Sequence, residues 1–426
     1  MRLSRIALAA LGLPLLAGCY SNETLGLRTS PSGGALFRNY IAVGTSIGAG
    51  VQSGGINDST QKRAYPALLA QSMGLTLGGN WFYPSLTMPG CPPPYTNPLT
   101  GARVSGGTAT TCLVVNPLYD SPAGYENNLS VPSLRAAQVL NIRDLTFPRT
   151  DTLLAAQFIT GSRNPIDIVL AARPTFVTLE IGANDVLGAA TRGDSTLLTP
   201  VAAFQAQFTA IADSIDLTGA KVAVSNIPNV TVIPHFSAGV ILYCLKNGGA
   251  TCPSPLPPAT APYNSANFIV DASCAVSAVG GVGDSMLVTF PAIAQITGTL
   301  AAGGAATLNC GAGTATVNQG AGFVPAGAVL TKATTKAIVV RVLTLDAFIA
   351  AQATTRGWAL VDFNGLLAAN QALIPPFPLF AAGPTVSFGP LFSLDGVHPT
   401  SAGSKAIADG FAVAINTKFG TVLPLP

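Results

Sequence analysis

Charge is what this chain most conspicuously lacks. Its 426 residues carry only 21 Lys and Arg and 18 Asp and Glu, 9% of the total, against about 25% in an ordinary soluble protein. A formal net charge of +3 excludes the strongly basic surface on which nucleic-acid binding depends. Only two histidines are present, too few for a histidine-built metal centre. No P-loop, G-x-G-x-x-G or H-E-x-x-H occurs, so no nucleotide or zinc-protease motif is available. There is no C-x-x-C and no internal repeat. Gly, Ala, Thr and Pro fill the space that charge leaves, with 45 glycines and 33 prolines. Hydrophobic residues still reach 49%, which supports a sizeable core and excludes wholesale disorder. The length suits two or three average domains, or one domain with long insertions.

The N-terminus reads as an address. Arg2 and Arg5 precede an uncharged apolar stretch from Ile6 to Ala17, too short for a membrane-spanning helix, which needs about 20 residues. It ends in Leu16-Ala17-Gly18-Cys19, which resembles the lipobox of bacterial lipoproteins. That resemblance implies a signal peptide over 1–18, lipid attachment at Cys19, and export to the cell envelope with the lipid as membrane anchor. Residues 19–35, rich in Ser, Gly and polar side chains, then form a flexible tether. Setting Cys19 aside leaves six cysteines: Cys91, Cys112, Cys244, Cys252, Cys274 and Cys310. An oxidising compartment predicts three disulfides among them. Fifteen connectivities are possible; nearest-neighbour pairing is the simplest, each bridge stapling one Gly/Pro-rich segment.

Strands alternate with helices through most of the remaining chain. Tyr40–Gly44, Asn128–Val131, Thr175–Ile181, Lys221–Ser225 and Trp358–Asp362 read as strands. Ala64–Met73, Ser133–Leu140 and Ala402–Lys418 read as helices. So does the segment with Thr199 as expected N-cap and Pro200 at the first helical position, with Val201, Phe204, Phe208, Ile211 and Ile215 on one face. In Lys332–Arg356, Ile338, Val342, Leu345 and Ile349 fall at helical spacing, with Gly357 as the stop. This alternation predicts an α/β domain with a mainly parallel sheet. The exception is about 235–331, which holds four of the six cysteines and no charge at all from Ser285 to Thr331. Scattered Gly, Thr, Asn and Gln, with Pro291, break any membrane span there. We expect an insertion of short strands and loops.

Three segments at strand ends or before the last helix carry candidate chemistry. Ser46 lies in the glycine-rich turn Gly44-Thr45-Ser46-Ile47-Gly48-Ala49-Gly50, where a hydroxyl can project and a backbone N–H can face an oxyanion. Asn184, in Gly182-Ala183-Asn184-Asp185, can offer a side-chain amide. Asp395, three residues before His398 in Asp395-Gly396-Val397-His398-Pro399, can fix the imidazole tautomer and stabilise the imidazolium. Each motif alone is unspecific. In this order along the chain, the set resembles the SGNH hydrolases, the GDSL family of esterases and lipases, over about 38–420.

The resemblance implies a three-layer α/β/α sandwich with flavodoxin-like strand order 2-1-3-4-5, here spanning 36–420 around the insertion. It also implies a Ser46–His398–Asp395 triad, an oxyanion hole from Ser46, Ser133 and Asn184, carboxylic ester substrates, and no cofactor. Two departures stand out. Thr45 replaces the acidic residue that usually precedes the serine, so hydrogen bonding around the turn must differ. Ser133 stands where a glycine is expected, with Gly90 as the other candidate for that donor. Gly44-Thr45-Ser46-Ile47-Gly48 also satisfies the G-x-S-x-G elbow of α/β-hydrolases, but a serine after the first strand and an acid three residues before the histidine favour the SGNH pattern. His235 reads as structural or surface, and Asp185 as a turn or cap residue. The rival function is a non-catalytic surface lipoprotein that binds a glycan or lipid in the cleft.

Overall fold

The computed structural model describes residues 34–112, 121, 123–144, 158–249, 252, 261–318, 324, 326–380 and 386–426. The expected signal segment, Cys19 and the tether as far as residue 33 lie outside the described residues. Four strands, β1 (Tyr40–Val43), β2 (Phe176–Leu179), β3 (Lys221–Ser225) and β4 (Ala359–Val361), form one parallel sheet in that order. Beyond β1 runs the Asn127–Val131 segment. The Ala42 N–H donates to the Asn127 carbonyl (2.8 Å), Leu129 N–H to Ala42 (2.7 Å) and Val131 N–H to Gly44 (3.0 Å). With this fifth extended segment the order is 2-1-3-4-5, and the strand read at Asn128–Val131 is reduced to a single bridge.

These strands are apolar runs because both faces are covered. Ile41, Val43, Val177, Leu179, Val222 and Val224 point to one side. There they meet Phe204, Phe208, Ile211 and Ile215 of the helix Val201–Asp216, and Ile338, Val342, Leu345 and Ile349 of Lys332–Arg356. Tyr40, Ala42, Phe176, Ala223, Ala359 and Val361 alternate to the other side, under the helices Tyr65–Ser72 and Ser401–Phe419. Rings of Tyr65 and Phe411 stack there at 4.7 Å. The result is a three-layer α/β/α sandwich.

Two boundaries differ from expectation. The helix expected from Ser133 starts only at Ala136, because Ser133 adopts the left-handed conformation with φ +63°. Thr199 does not cap the helix that follows it; its hydroxyl donates instead to Asp185 at 2.7 Å.

The described residues of 235–331 hold most of a further hydrophobic cluster. Phe236–Ala238 and Val329–Leu330, at the two ends of the segment, both pair antiparallel with Leu287–Thr289. A second small sheet joins Phe268–Val270, Ala306–Asn309 and Thr314–Val317. Two helices, Gly239–Asn247 and Phe290–Ala301, also occur, which corrects the expectation of strands and loops alone. Their buried positions, Ile241, Leu242 and Leu245 in the first and Ile293, Ile296 and Leu300 in the second, do recur at helical spacing, a period that the scattered Gly and Thr of the segment obscured. Leu242, Phe268, Met286, Val288, Ile293, Ile296 and Leu308 belong to this cluster, which Phe377 joins from outside the segment, while Phe236 and Leu330 pack into the sheet core. The disulfides are Cys91–Cys112, Cys244–Cys252 and Cys274–Cys310, the nearest-neighbour set.

Candidate active site

The carboxyl ends of the strands converge on one cleft. Ser46 opens a four-residue helix, Ser46–Ala49, directly after β1, so its N–H lies in a first turn with no partner inside the helix. Gly48 is needed for this turn to lie against Ser130: a Cβ there would stand 2.4 Å from the Ser130 Oγ. Gly182, with φ +104°, turns the chain after β2 into the helix Ala183–Arg192, which carries Asn184 in its first turn.

Ser46, His398 and Asp395 form a continuous hydrogen-bonded line. Ser46 Oγ lies 2.9 Å from His398 Nε2, and His398 Nδ1 lies 2.8 Å from Asp395 Oδ2. The consistent proton assignment has Nδ1–H donating to the carboxylate and Nε2 accepting from the serine hydroxyl. Asp395 also accepts from the N–H groups of Gly54 (2.6 Å), His398 (2.8 Å) and Val397 (2.9 Å), and from the Ser393 hydroxyl (3.2 Å). Burial alone would raise its pKa. The charge of protonated His398 and these hydrogen bonds outweigh that and hold the carboxyl well below the usual carboxylate range. His235 braces the same turn from behind. Its N–H donates to the Gly396 carbonyl at 2.9 Å, and its Nδ1 lies 3.1 Å from the Asp395 carbonyl oxygen. Burial lowers its pKa, which favours the neutral ring in this bracing role.

Sequence reasoning missed Glu180. It follows β2 and is 1% exposed. It accepts the Thr45 N–H at 2.9 Å and the Thr45 hydroxyl at 2.8 Å. The carboxylate that Thr45 lacks therefore reaches the serine turn from the neighbouring strand. Burial pushes the Glu180 pKa up to about 7, against the opposing pull of the Thr45 and Gly48 hydrogen bonds and of His398. The available signal was a lone acid in an otherwise apolar strand, paired with the missing acid at 45.

Asn184 faces the cleft together with Thr45, Ser46, Pro228, Ile233, Val397 and His398, around about 370 Å³ of open space. One of its amide hydrogens is used on the Leu134 carbonyl at 3.0 Å, which leaves the second N–H for a ligand. The same bond ties the Ser133–Leu134 turn to Asn184. Ser133 and Gly90 are not among the residues lining the cleft; Gly90 packs instead against Ile56 and Pro93. Asp185 is buried and structural. It accepts from Thr199 and from the N–H of Ala136 at 3.1 Å, and burial raises its pKa.

No family model and no curated protein matches the chain. Among solved structures it is similar to an extracellular lipase from Streptomyces rimosus, at 16% identity and a TM-score of 0.34, over 89% of this chain and 98% of that one. It is likewise similar to a phospholipase A1 from Streptomyces albidoflavus, at 14% identity and a TM-score of 0.35, with the same coverage of both chains.

Proposed function

We propose that the chain is an exported serine hydrolase of carboxylic esters. The observation that carries this reading is the Ser46–His398–Asp395 line, with 2.9 Å and 2.8 Å contacts, at the strand ends where ligands bind in open α/β sheets. His398 takes the Ser46 proton as Ser46 Oγ bonds to the acyl carbon. The carbonyl oxygen becomes an oxyanion held by the Ser46 N–H and the Asn184 amide. As the ester C–O bond breaks, His398 gives its proton to the leaving alkoxide, and the acyl group stays on Ser46. Water then enters, His398 takes a proton from it, and its oxygen attacks the acyl carbon. The acid departs as Ser46 regains its proton. Asp395 keeps the ring oriented and supports its charge. No cofactor enters the cycle.

Lipid attachment at Cys19 and location at the cell envelope belong to the same proposal, resting on Leu16-Ala17-Gly18-Cys19. Ser46→Ala tests the chemistry. Ester hydrolysis should fall to background in a variant with an unchanged melting curve, because Ser46 is a turn side chain outside the core clusters. Activity above a few per cent of the parent would rule Ser46 out as nucleophile.

A further inference from the structure

The cleft has an apolar neighbour. A second cavity, about 630 Å³ of open space, shares Ile47, Pro228, Ile233 and Val397 with it. Ile47 follows Ser46 and Val397 precedes His398 in the chain, so the two spaces adjoin beside the Ser46–His398 pair. Farther from Ser46 the wall comes from Leu366 and Leu367 in the helix Phe363–Ala369, from Ile374 and Phe392, and from Ile407 in the last helix. Asn370 is the one polar side chain among the described residues of this lining, and its amide donates to the Leu366 carbonyl at 2.9 Å. No charged group is present to recognise a phosphate or carboxylate, and no hydroxyl-bearing side chain to recognise a sugar.

We infer that this cavity is the acyl-chain subsite, and that the preferred substrates are esters of medium-length fatty acids rather than acetyl esters. The inference rests on the proposed ester hydrolysis. Between the two half-reactions the acyl group is bonded to Ser46 Oγ and must be held, whereas the alcohol must leave past His398. A concave apolar space adjoining Ile47 suits the part that is retained. A short acetyl group would leave that wall uncovered. A longer chain covers it, and each methylene removed from water contributes about 0.8 kcal/mol.

The test follows hydrolysis of p-nitrophenyl acetate, butyrate and octanoate by the full chain. We expect kcat/KM to rise from acetate to octanoate by up to about fourfold per methylene. Ala406→Phe, which fills the cavity from the last helix, should collapse the octanoate-to-acetate ratio toward one. Leu367→Ser, which makes the wall polar, should lower that ratio in the same direction and serves if the larger side chain prevents folding. A flat series in a parent protein that hydrolyses acetate and is labelled at Ser46 overturns the subsite and leaves the esterase reading standing. A dependence on the alcohol chain instead, measured with ethyl and octyl acetate and abolished by Ala406→Phe, assigns the cavity to the leaving group and also overturns the inference. Absence of hydrolysis on every ester, with no label on Ser46, removes the esterase reading itself and the subsite with it.

Discussion

Core and insertion bury apolar surface by different means. In the core, one parallel sheet alternates side chains to two faces, and helices such as Val201–Asp216 and Ser401–Phe419 cover both. Its stability comes from contacts between segments far apart in sequence, such as β1 with β2. In residues 235–331 the sheets are three-stranded and short, and two of the three disulfides lie there. A small unit removes less surface per residue, so cross-links make up part of the deficit. The difference separates the proposed chemistry from its support. Ser46, Asn184, Asp395 and His398 all belong to the core, and the insertion reaches the site through His235, against Gly396 and Asp395.

If the chemistry belongs to the core, the largest effect should follow a change there that leaves the insertion alone. Asn184→Ala deletes an oxyanion donor and should lower turnover about 100- to 1000-fold, the usual loss for one such donor. Thermal melts check that losing its bond to Leu134 has not unfolded the protein. A loss below tenfold would remove Asn184 from the oxyanion hole.

The opposite experiment loosens the insertion. Replacing Cys274 and Cys310 by Ala opens a bridge with a sequence separation of 36, worth about 3–4 kcal/mol through the unfolded chain. Amides of Phe268–Val270 and Ala306–Asn309 should then exchange faster, while those of β1 to β3 hold. Equal acceleration throughout would show one cooperative unit and contradict the division drawn above.

Within the core, Glu180 gives a pH signature. Its pKa is pushed from 4.5 up to about 7 in the fold, so between those values the folded chain binds more protons than the unfolded one. Its contribution is therefore fullest below the unfolded value and declines as pH rises through about 7, by about 3 kcal/mol at most. Asp395, with its lowered pKa, acts with the opposite sign, and its contribution is lost as pH falls below the usual carboxylate range. Glu180→Gln, which retains a polar side chain for Thr45, should flatten the decline between pH 5 and pH 8 in the melting temperature. A parent and variant with parallel pH curves would show that Glu180 is ionised throughout that range.

The smallest effect is expected at Ser133. A residue with a Cβ at φ +63° is strained, and glycine is not. Ser133→Gly should raise stability by about 1 kcal/mol or less and retain activity, since Ser133 is not among the residues lining the cleft. A loss of activity matching that of Asn184→Ala would give the Ser133 hydroxyl an active role.

Much of this was legible because it depends on local pattern. The β3 boundaries and the Lys332–Arg356 helix follow from apolar periodicity and a terminal glycine, Gly357 at φ +69°. Ser46, Asn184, Asp395 and His398 were candidates from their motifs, and the fold brings them to one cleft. What stayed hidden depends on pairing across the fold. Glu180 meets Thr45 only because β1 and β2 lie parallel with Val43 opposite Leu179, and nothing within residues 176–181 reveals that register. The conformation of Ser133 was equally hidden, because Ser133–Leu140 has a helix-compatible composition and the bonds to Gly44 and Asn184 that hold the turn come from distant segments.

The central claim is that Ser46 is a nucleophile activated by His398, and an active-site label tests it most directly. The folded protein would be treated with a fluorophosphonate and digested, and the adduct mapped by mass spectrometry. The account predicts a single adduct, on the peptide containing Ser46, absent from Ser46→Ala and strongly reduced in His398→Ala. No adduct on the native parent, or one on a serine away from the cleft, would contradict it.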